Sequence, residues 1–258
     1  MRERVYCLKL AYDGTRYRGW QRLPQAELTV QGKLENVLSR LFAQPVEVQG
    51  SGRTDAGVHA LGQIVSFRAP EREPEALLRE LRRWLPEDIG ALSLEFAPER
   101  FHARLSAVEK TYVYRVWNSE TPDVFERRWR VPFPQTLKLD EMRRAAAMLL
   151  GTHDFRAFCA NKQLKKSSVR TLRRCEIERL GEEIRFTLTA DGFLYHMVRI
   201  LVGTLLEVGT GKRPLGCIAR AIETGDRLQL GQTAPACGLA LMRVLYDGDE
   251  EKAMGYFE

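Results

Sequence analysis

Long apolar runs are missing from this chain. No stretch approaches the ~18 apolar residues that a membrane span requires. The N-terminal MRERVYCLKLAYDG has no apolar core ahead of a small-residue cleavage site, which predicts no secretory leader. Histidine is scarce: His59, His102, His153 and His196 stand apart, without HExxH or HxH spacing, so a histidine-built metal site has little support. The five cysteines (Cys7, Cys159, Cys175, Cys217 and Cys237) are odd in number and form no CxxC. That argues against zinc ribbons and disulfide frameworks, and fits a reducing cytoplasm. No low-complexity linker interrupts the chain, so any domain boundary is a tight one near residue 100.

Lysine is thin beside arginine, 9 against 31. Lys+Arg less Asp+Glu is 40 − 34, or +6. The last twelve residues, Asp247 to Glu258, hold five acids and one base, so the body before them carries +10. Arginine grips phosphate in a bidentate fork and stacks on bases, which favours a nucleic-acid partner. With 258 residues, 44% apolar and 29% charged, the chain is globular and fills one large domain or two ordinary ones.

Local patterns supply the elements. Tyr6, Leu8, Leu10 and Tyr12 alternate along a strand that ends at Asp13-Gly14. Thr29 caps a helix with a stripe of Val30, Leu34, Val37, Leu38, Leu41 and Phe42. Strands follow at 62–69 and 91–96, with a helix from Pro74 to Pro86 between them. The second half repeats the mixture: a strand at 111–117, a helix from an Asp140 cap to Gly151, strands at 175–180 and 184–189, a nearly all-apolar helix over 194–208, a helix from Pro214 to Gly225, and a last strand at 239–245. LKLAYDGTRY and FTLTADGFLY echo each other faintly. The pattern predicts an α+β fold with antiparallel or mixed sheets flanked by helices; the echo reads either as two related halves packed side by side or as Asp-Gly ending two unrelated strands. Divided near residue 100, the chain gives residues 1–100, carrying an Asp loop, and 101–246; 247–258 form an acidic tail.

Four segments carry chemistry. Gly50-Ser51-Gly52-Arg53-Thr54-Asp55-Ala56-Gly57-Val58-His59-Ala60 sets a cation, a hydroxyl and a carboxylate in a row among three glycines. Asp55 there is either a turn-capping side chain or a catalytic carboxylate. Phe193 to Gly203 is apolar nearly throughout, yet includes Tyr195, His196 and Arg199 on one expected helix side. A buried arginine needs an anionic partner. Asp191, Glu207 and Asp55 are the candidates. Phe101-His102-Ala103-Arg104 precedes Lys110-Thr111-Tyr112-Val113-Tyr114-Arg115, where Tyr112 and Tyr114 are either core or a stacking platform for an unpaired base. Last, 161–174 holds Lys162, Lys165, Lys166, Arg170, Arg173 and Arg174 and no acid. It reads as a solvated face or, with Arg127, Arg128 and Arg130 upstream, as a phosphate track.

Together YDGTRYRGWQ (Tyr12–Gln21), GSGRTDAGVHA (Gly50–Ala60), FHAR with KTYVY (Phe101–Tyr114), FLYHMVRILVG (Phe193–Gly203) and ACGLALM (Ala236–Met242) resemble the TruA family of tRNA pseudouridine synthases. The resemblance implies an α+β fold of two related halves, the second completing an active-site cleft between them, in a homodimer that isomerises uridine at positions 38, 39 and 40 of the tRNA anticodon arm, without metal or organic cofactor. It makes Asp55 the nucleophile and pairs Arg199 with its carboxylate. It places Tyr112 against the uracil, with Arg53, Arg104 and His196 as further substrate-binding residues. No chemical step is assigned to His59 or His196. The track of Lys162, Lys165, Lys166, Arg170, Arg173 and Arg174 rests on charge alone. An RNA-binding module without catalysis would explain the charge and the aromatics but not the Asp loop. A metal-dependent nuclease would need clustered carboxylates near Asp55, and none is near it in sequence.

Overall fold

Alternation in the first strand sets the core. β1 (Glu3–Tyr12) turns Tyr6, Leu8, Leu10 and Tyr12 inward, each no more than 4% exposed. The computed structural model describes residues 2–23, 28–161, 163 and 166–247. Lys162, Lys165 and the tail from 248 onward lie outside the described residues. The chain divides into two units, Met1–Val108 with Leu241–Glu258, and Glu109–Ala240.

In the first unit β1 lies between β3 (His59–Pro70) and β4 (Ile89–Phe96), antiparallel to both. The short β2 (Val48–Gly50) pairs with β3, and β10 (Leu239–Tyr246) follows β3 in the sheet order. α1 (Val30–Phe42) starts where expected: Thr29 Oγ1 accepts from Gly32 N at 3.3 Å. α2 (Pro74–Trp84) has proline in its first turn and a Glu73 cap on Ala76 N at 2.7 Å. Its Leu77 and Leu81 are buried, and the helix packs on β4 and α1. Tyr6 stacks on Phe67 at 4.9 Å within this core.

The second unit orders its strands β5 (Ala107–Trp117), β9 (Glu183–Ala190), β8 (Val169–Leu180), β7 (Gly151–Asp154), antiparallel throughout. β6 (Val131–Pro132) runs parallel to β5. α3 (Leu139–Ala147) packs on β8 and on α4 (Met197–Gly209); α5 (Cys217–Thr224) follows. The architecture is the expected α+β. The two echo strands, β1 and β9, each sit antiparallel between two partners. The aspartates after them do different work: Asp13 Oδ1 accepts from Thr15 N at 2.9 Å, whereas Asp191 Oδ1 accepts from Thr171 N at 3.1 Å.

Several boundaries differ from the sequence reading. Asp140 does not cap α3; it sits inside the first turn, and Lys138 at the cap position makes no side-chain cap bond. Lys138 N instead donates to Gly209 O at 2.9 Å, so the end of α4 fixes where α3 begins. α3 stops at Ala147, and Leu150 turns outward, 43% exposed, as the chain enters β7. β8 begins at Val169, so Arg170, Arg173 and Arg174 are strand residues. Pro214 closes a turn with Cys217 N (3.1 Å) rather than opening α5. Among the described residues no helix is long and apolar enough to cross a membrane.

Candidate active site

The Gly50–Ala60 loop leaves β2 and is clamped along its length by buried polar groups. Ser51 N donates to Ile64 O at 2.7 Å, and Ser51 Oγ lies 2.6 Å from Gln63 Oε1. Gln63 Nε2 donates to Gly52 O at 2.9 Å and reaches the Tyr12 hydroxyl at 3.4 Å. That hydroxyl lies 2.8 Å from Thr54 Oγ1. Ser51, Gln63, Tyr12 and Thr54 are all buried. Burial pushes the Tyr12 hydroxyl up to about 12, so it stays protonated at neutral pH and can donate.

A second segment holds the loop from the other side. Trp20 N donates to Thr54 O at 3.0 Å and Gly57 N to Tyr17 O at 3.2 Å. Gly50 must be glycine for this packing, because a Cβ there would sit 2.6 Å from the Trp20 ring. Tyr17 is itself fixed: its hydroxyl donates to Asp88 Oδ1 at 2.6 Å, and Arg16 pairs with the same carboxylate. Burial, then the Asp88 carboxylate, pushes Tyr17 up to about 12. His59 Nδ1 accepts from Gly14 N at 3.0 Å and lies 3.2 Å from Asp13 Oδ1.

Asp55 therefore sits half-buried on a rigid mount, between buried Thr54 and exposed Ala56. Its backbone carbonyl accepts from Val58 N at 3.1 Å and closes the turn. Arg53, two residues earlier, is exposed. Arg104 lies in the same unit, exposed, in a turn where His102 Nδ1 accepts from Arg104 N (3.1 Å) and Leu105 N (3.3 Å). Ala103 anchors that turn: its N donates to Ser66 Oγ at 3.0 Å, and its O accepts from the Tyr246 hydroxyl at 2.7 Å.

The second unit carries the other candidates. Tyr112 and Tyr114 are both buried on β5. The Tyr114 hydroxyl donates to Pro235 O at 2.8 Å, and burial raises its pKa, so Tyr114 is a core residue. Tyr112 meets Phe193 edge-on, with ring centroids 5.2 Å apart. The Arg170 side chain lies against Gly192, next to that phenylalanine, and its Nη1 donates to Ser167 O at 3.0 Å. Arg173 Nη1 pairs with Glu109 at 3.2 Å, and Arg174 pairs with Glu176. The run that contains no acid in sequence thus meets acids from outside it. Lys166 is exposed.

Tyr195, His196 and Arg199 do not share one helix face. His196 takes the left-handed conformation (φ 63°) as the residue before α4, and Tyr195 stacks on it at 3.8 Å with 55% of its surface exposed. Arg199 is half-buried rather than buried. Its Nε donates to Ala234 O at 2.8 Å, while Ala234 N donates to Arg199 O at 3.0 Å. The strap through Ala234 lies directly on α4 because position 203 lacks a Cβ, which would sit 1.8 Å from Gln232 O. Thr204 Oγ1 and Glu207 fasten it further, accepting from Gly231 N and Gln232 N at 2.9 Å each. Glu207, one of the proposed anions for Arg199, also engages Arg213 at 2.6 Å and Lys212 at 3.8 Å.

Sequence reasoning missed Gln63, Trp20, Tyr17 and Asp88, the residues that hold the Asp loop in place. One signal was present for Gln63: it is a long amide side chain directly before the apolar pair Ile64-Val65 in a strand. Such a side chain is buried only when its hydrogen bonds are met.

Comparison with known proteins agrees with the motifs. A family model described as tRNA pseudouridine synthase matches residues 10–104 and 145–247. A Moorella thermoacetica protein named tRNA pseudouridine synthase A is 46% identical over 245 residues, covering 93% of this chain and 99% of its own length. One from Bacillus sp. (strain KSM-64), with the same name, is 43% identical over 237 residues, covering 92% and 97%. Among solved structures, a chain of a Cbf5-Nop10-Gar1 complex aligns with TM-score 0.38 and 11% identity over 92% of this chain and 48% of that one.

Proposed function

The chain belongs to the tRNA pseudouridine synthase family, and from that premise we propose that it isomerises uridine at positions 38, 39 and 40 of the tRNA anticodon arm, with Asp55 as the reacting carboxylate. That it is an isomerase acting on tRNA uridine follows from the family. The choice of arm and the roles of single residues are our reading.

The observation that carries the reading is the mounting of Asp55. A carboxylate stays half-exposed while the residues before it are held by the buried chain of Ser51, Gln63, Tyr12 and Thr54. Fixed geometry of this kind lowers the entropy a reacting group must lose. The reaction suits a single carboxylate. The C1′–N1 bond breaks, the uracil turns in place, C5 bonds to C1′, the C5 proton leaves and N1 takes up a proton. No redox change or net hydrolysis occurs. The carboxylate is the reactive form of Asp55.

Arg199 is the counter-ion in this proposal, and Tyr112, held edge-on by Phe193, forms a wall of the pocket in which the detached uracil turns. Arg53, Arg104 and His196 contact the substrate around it. The target base must be drawn from its stack, which costs a few kcal/mol. Arginine-rich surface meets the arm mainly through phosphate and 2′-OH groups. Lys162, Lys165, Lys166, Arg173 and Arg174 are assigned to that surface. Arg170, whose side chain lies against Gly192, is assigned to it by charge alone. The same reading takes the protein as a cytoplasmic homodimer that needs neither metal nor organic cofactor.

Tritium release from tRNA labelled at uridine C5 tests this, with a chelator present. Release is expected, and it should stop when uridines 38, 39 and 40 are replaced by cytidine. RNA cleavage or no release would overturn the isomerase assignment. Release that survives the replacements would overturn the anticodon-arm placement.

A further inference from the structure

An ionic cage in the second unit holds one turn of chain, Asp123 to Arg130, with an apolar side chain pointing at solvent. Asp123 Oδ1 accepts from Phe125 N at 3.2 Å and Glu126 N at 3.1 Å, and Glu126 O accepts from Trp129 N at 2.8 Å. Arg130 bridges Asp123 (2.6 Å), Glu126 (2.7 Å) and Glu183 (2.8 Å) and lies over the Trp117 ring. Arg115 pairs with Glu126 at 2.6 Å and Glu183 at 2.8 Å. Asp123 is therefore directed onto Arg130 at the end of the turn, and Glu126 onto Arg130 and Arg115. Phe125 remains outside, 88% exposed, more than any other large apolar side chain among the described residues. Val124, Arg127 and Arg128 are exposed beside it.

A loose loop would let this phenyl ring fold back and remove some of its apolar surface from water, which is favourable. The cage prevents that and keeps the ring presented. The turn falls between the two stretches that match the family model, 10–104 and 145–247.

We infer that Phe125 stacks on an unpaired base of the bound tRNA while Arg127 and Arg128 meet its phosphates. The inference rests on tRNA being the substrate. A flat apolar ring beside guanidinium groups, with Asp123 and Glu126 engaged by Arg115 and Arg130, suits a base and its phosphates. A second copy of the chain suits it less. A two-fold contact through Phe125 would bring Arg127 and Arg128 of both copies together, like charge against like.

The test is fluorescence anisotropy of full-length tRNA binding across a salt series. Phe125→Ala should raise Kd about tenfold, the effect of losing one stacked base. The slope of log K against log salt should not change. Phe125→Trp should restore binding and Phe125→Leu should not, because stacking needs a flat face rather than apolar bulk. Arg127→Ala with Arg128→Ala should flatten the slope by about 0.7–0.9 for each phosphate that the variant no longer neutralises. Melting temperatures should match wild type, since these side chains are exposed. Kd within twofold of wild type for Phe125→Ala would overturn the inference. So would a fall in sedimenting mass of Phe125→Ala, which would mark the turn as a contact between copies. Binding is read without turnover: a wild type that binds tRNA yet releases no tritium would count against the Asp55 reading, and the Phe125 contact would still be decided by Kd.

Discussion

The Tyr12 hydroxyl lies 2.8 Å from Thr54 Oγ1 and ties the residue before Asp55 to β1, the strand between β3 and β4. Tyr12→Phe removes one partner and leaves the buried Thr54 hydroxyl short of a hydrogen bond. A loss of about 1–3 kcal/mol is expected, read as a lower urea midpoint. A Tyr12→Phe, Thr54→Val double variant should lose less than the sum of the single losses, because the two groups share one bond. An unchanged midpoint in Tyr12→Phe would show that this hydrogen bond does not hold the loop.

Alkaline stability follows from the same tyrosine. Tyr12 and Tyr17 are both pushed up to about 12 in the fold, against about 10 in the unfolded chain. Between those values the folded state holds more protons, so stability falls as pH rises. Above about pH 10 the two tyrosines should add a decline of up to about 1.4 kcal/mol per pH unit each, on top of the decline that buried Cys175, also pushed up to about 12, begins near the ordinary thiol range. The decline should be shallower in Tyr12→Phe. Urea titrations at pH 9, 10 and 11 check the slope.

Asp55→Asn keeps the shape of the side chain and removes its charge. Turnover should vanish while tRNA binding stays within a few-fold of wild type. Residual activity within tenfold of wild type would remove Asp55 from the chemistry.

Arg199→Ala should cost both rate and stability. Its Nε bond to Ala234 O at 2.8 Å helps hold the strap on α4, and the proposal adds a charge opposite Asp55. Breaking a buried ion pair costs about 3–5 kcal/mol, and half-burial here points to the lower end or below. A variant with wild-type melting temperature and wild-type rate would exclude both roles.

Neutralising Lys165, Lys166, Arg173 and Arg174 together should raise Kd for tRNA and flatten the salt slope, by about 0.7–0.9 for each phosphate no longer neutralised. Arg173 and Arg174 already pair with Glu109 and Glu176, so the change should be smaller than four phosphate partners would give. An unchanged slope would make this stretch an ordinary solvated face.

Much of this protein was written locally. Period-two alternation gave away β1 and its buried face, the Thr29 hydroxyl and Pro74 marked two helix starts, and the Asp loop was legible because its residues are consecutive. Local rules failed where a distant group intervened. The expected Asp140 cap gave way to a bond from Lys138 N to Gly209 O. The expected helical side of Tyr195, His196 and Arg199 was broken by the left-handed turn at His196. Only the tertiary structure decided what holds the candidate residues. Tyr12 meets Thr54 across 42 positions, Arg173 meets Glu109 across 64, and Arg115 meets Glu183 across 68. Spacing reports what lies within a turn or a strand of a residue, whereas the partner of a buried polar group is chosen by which strand returns beside it, and that choice belongs to the whole core.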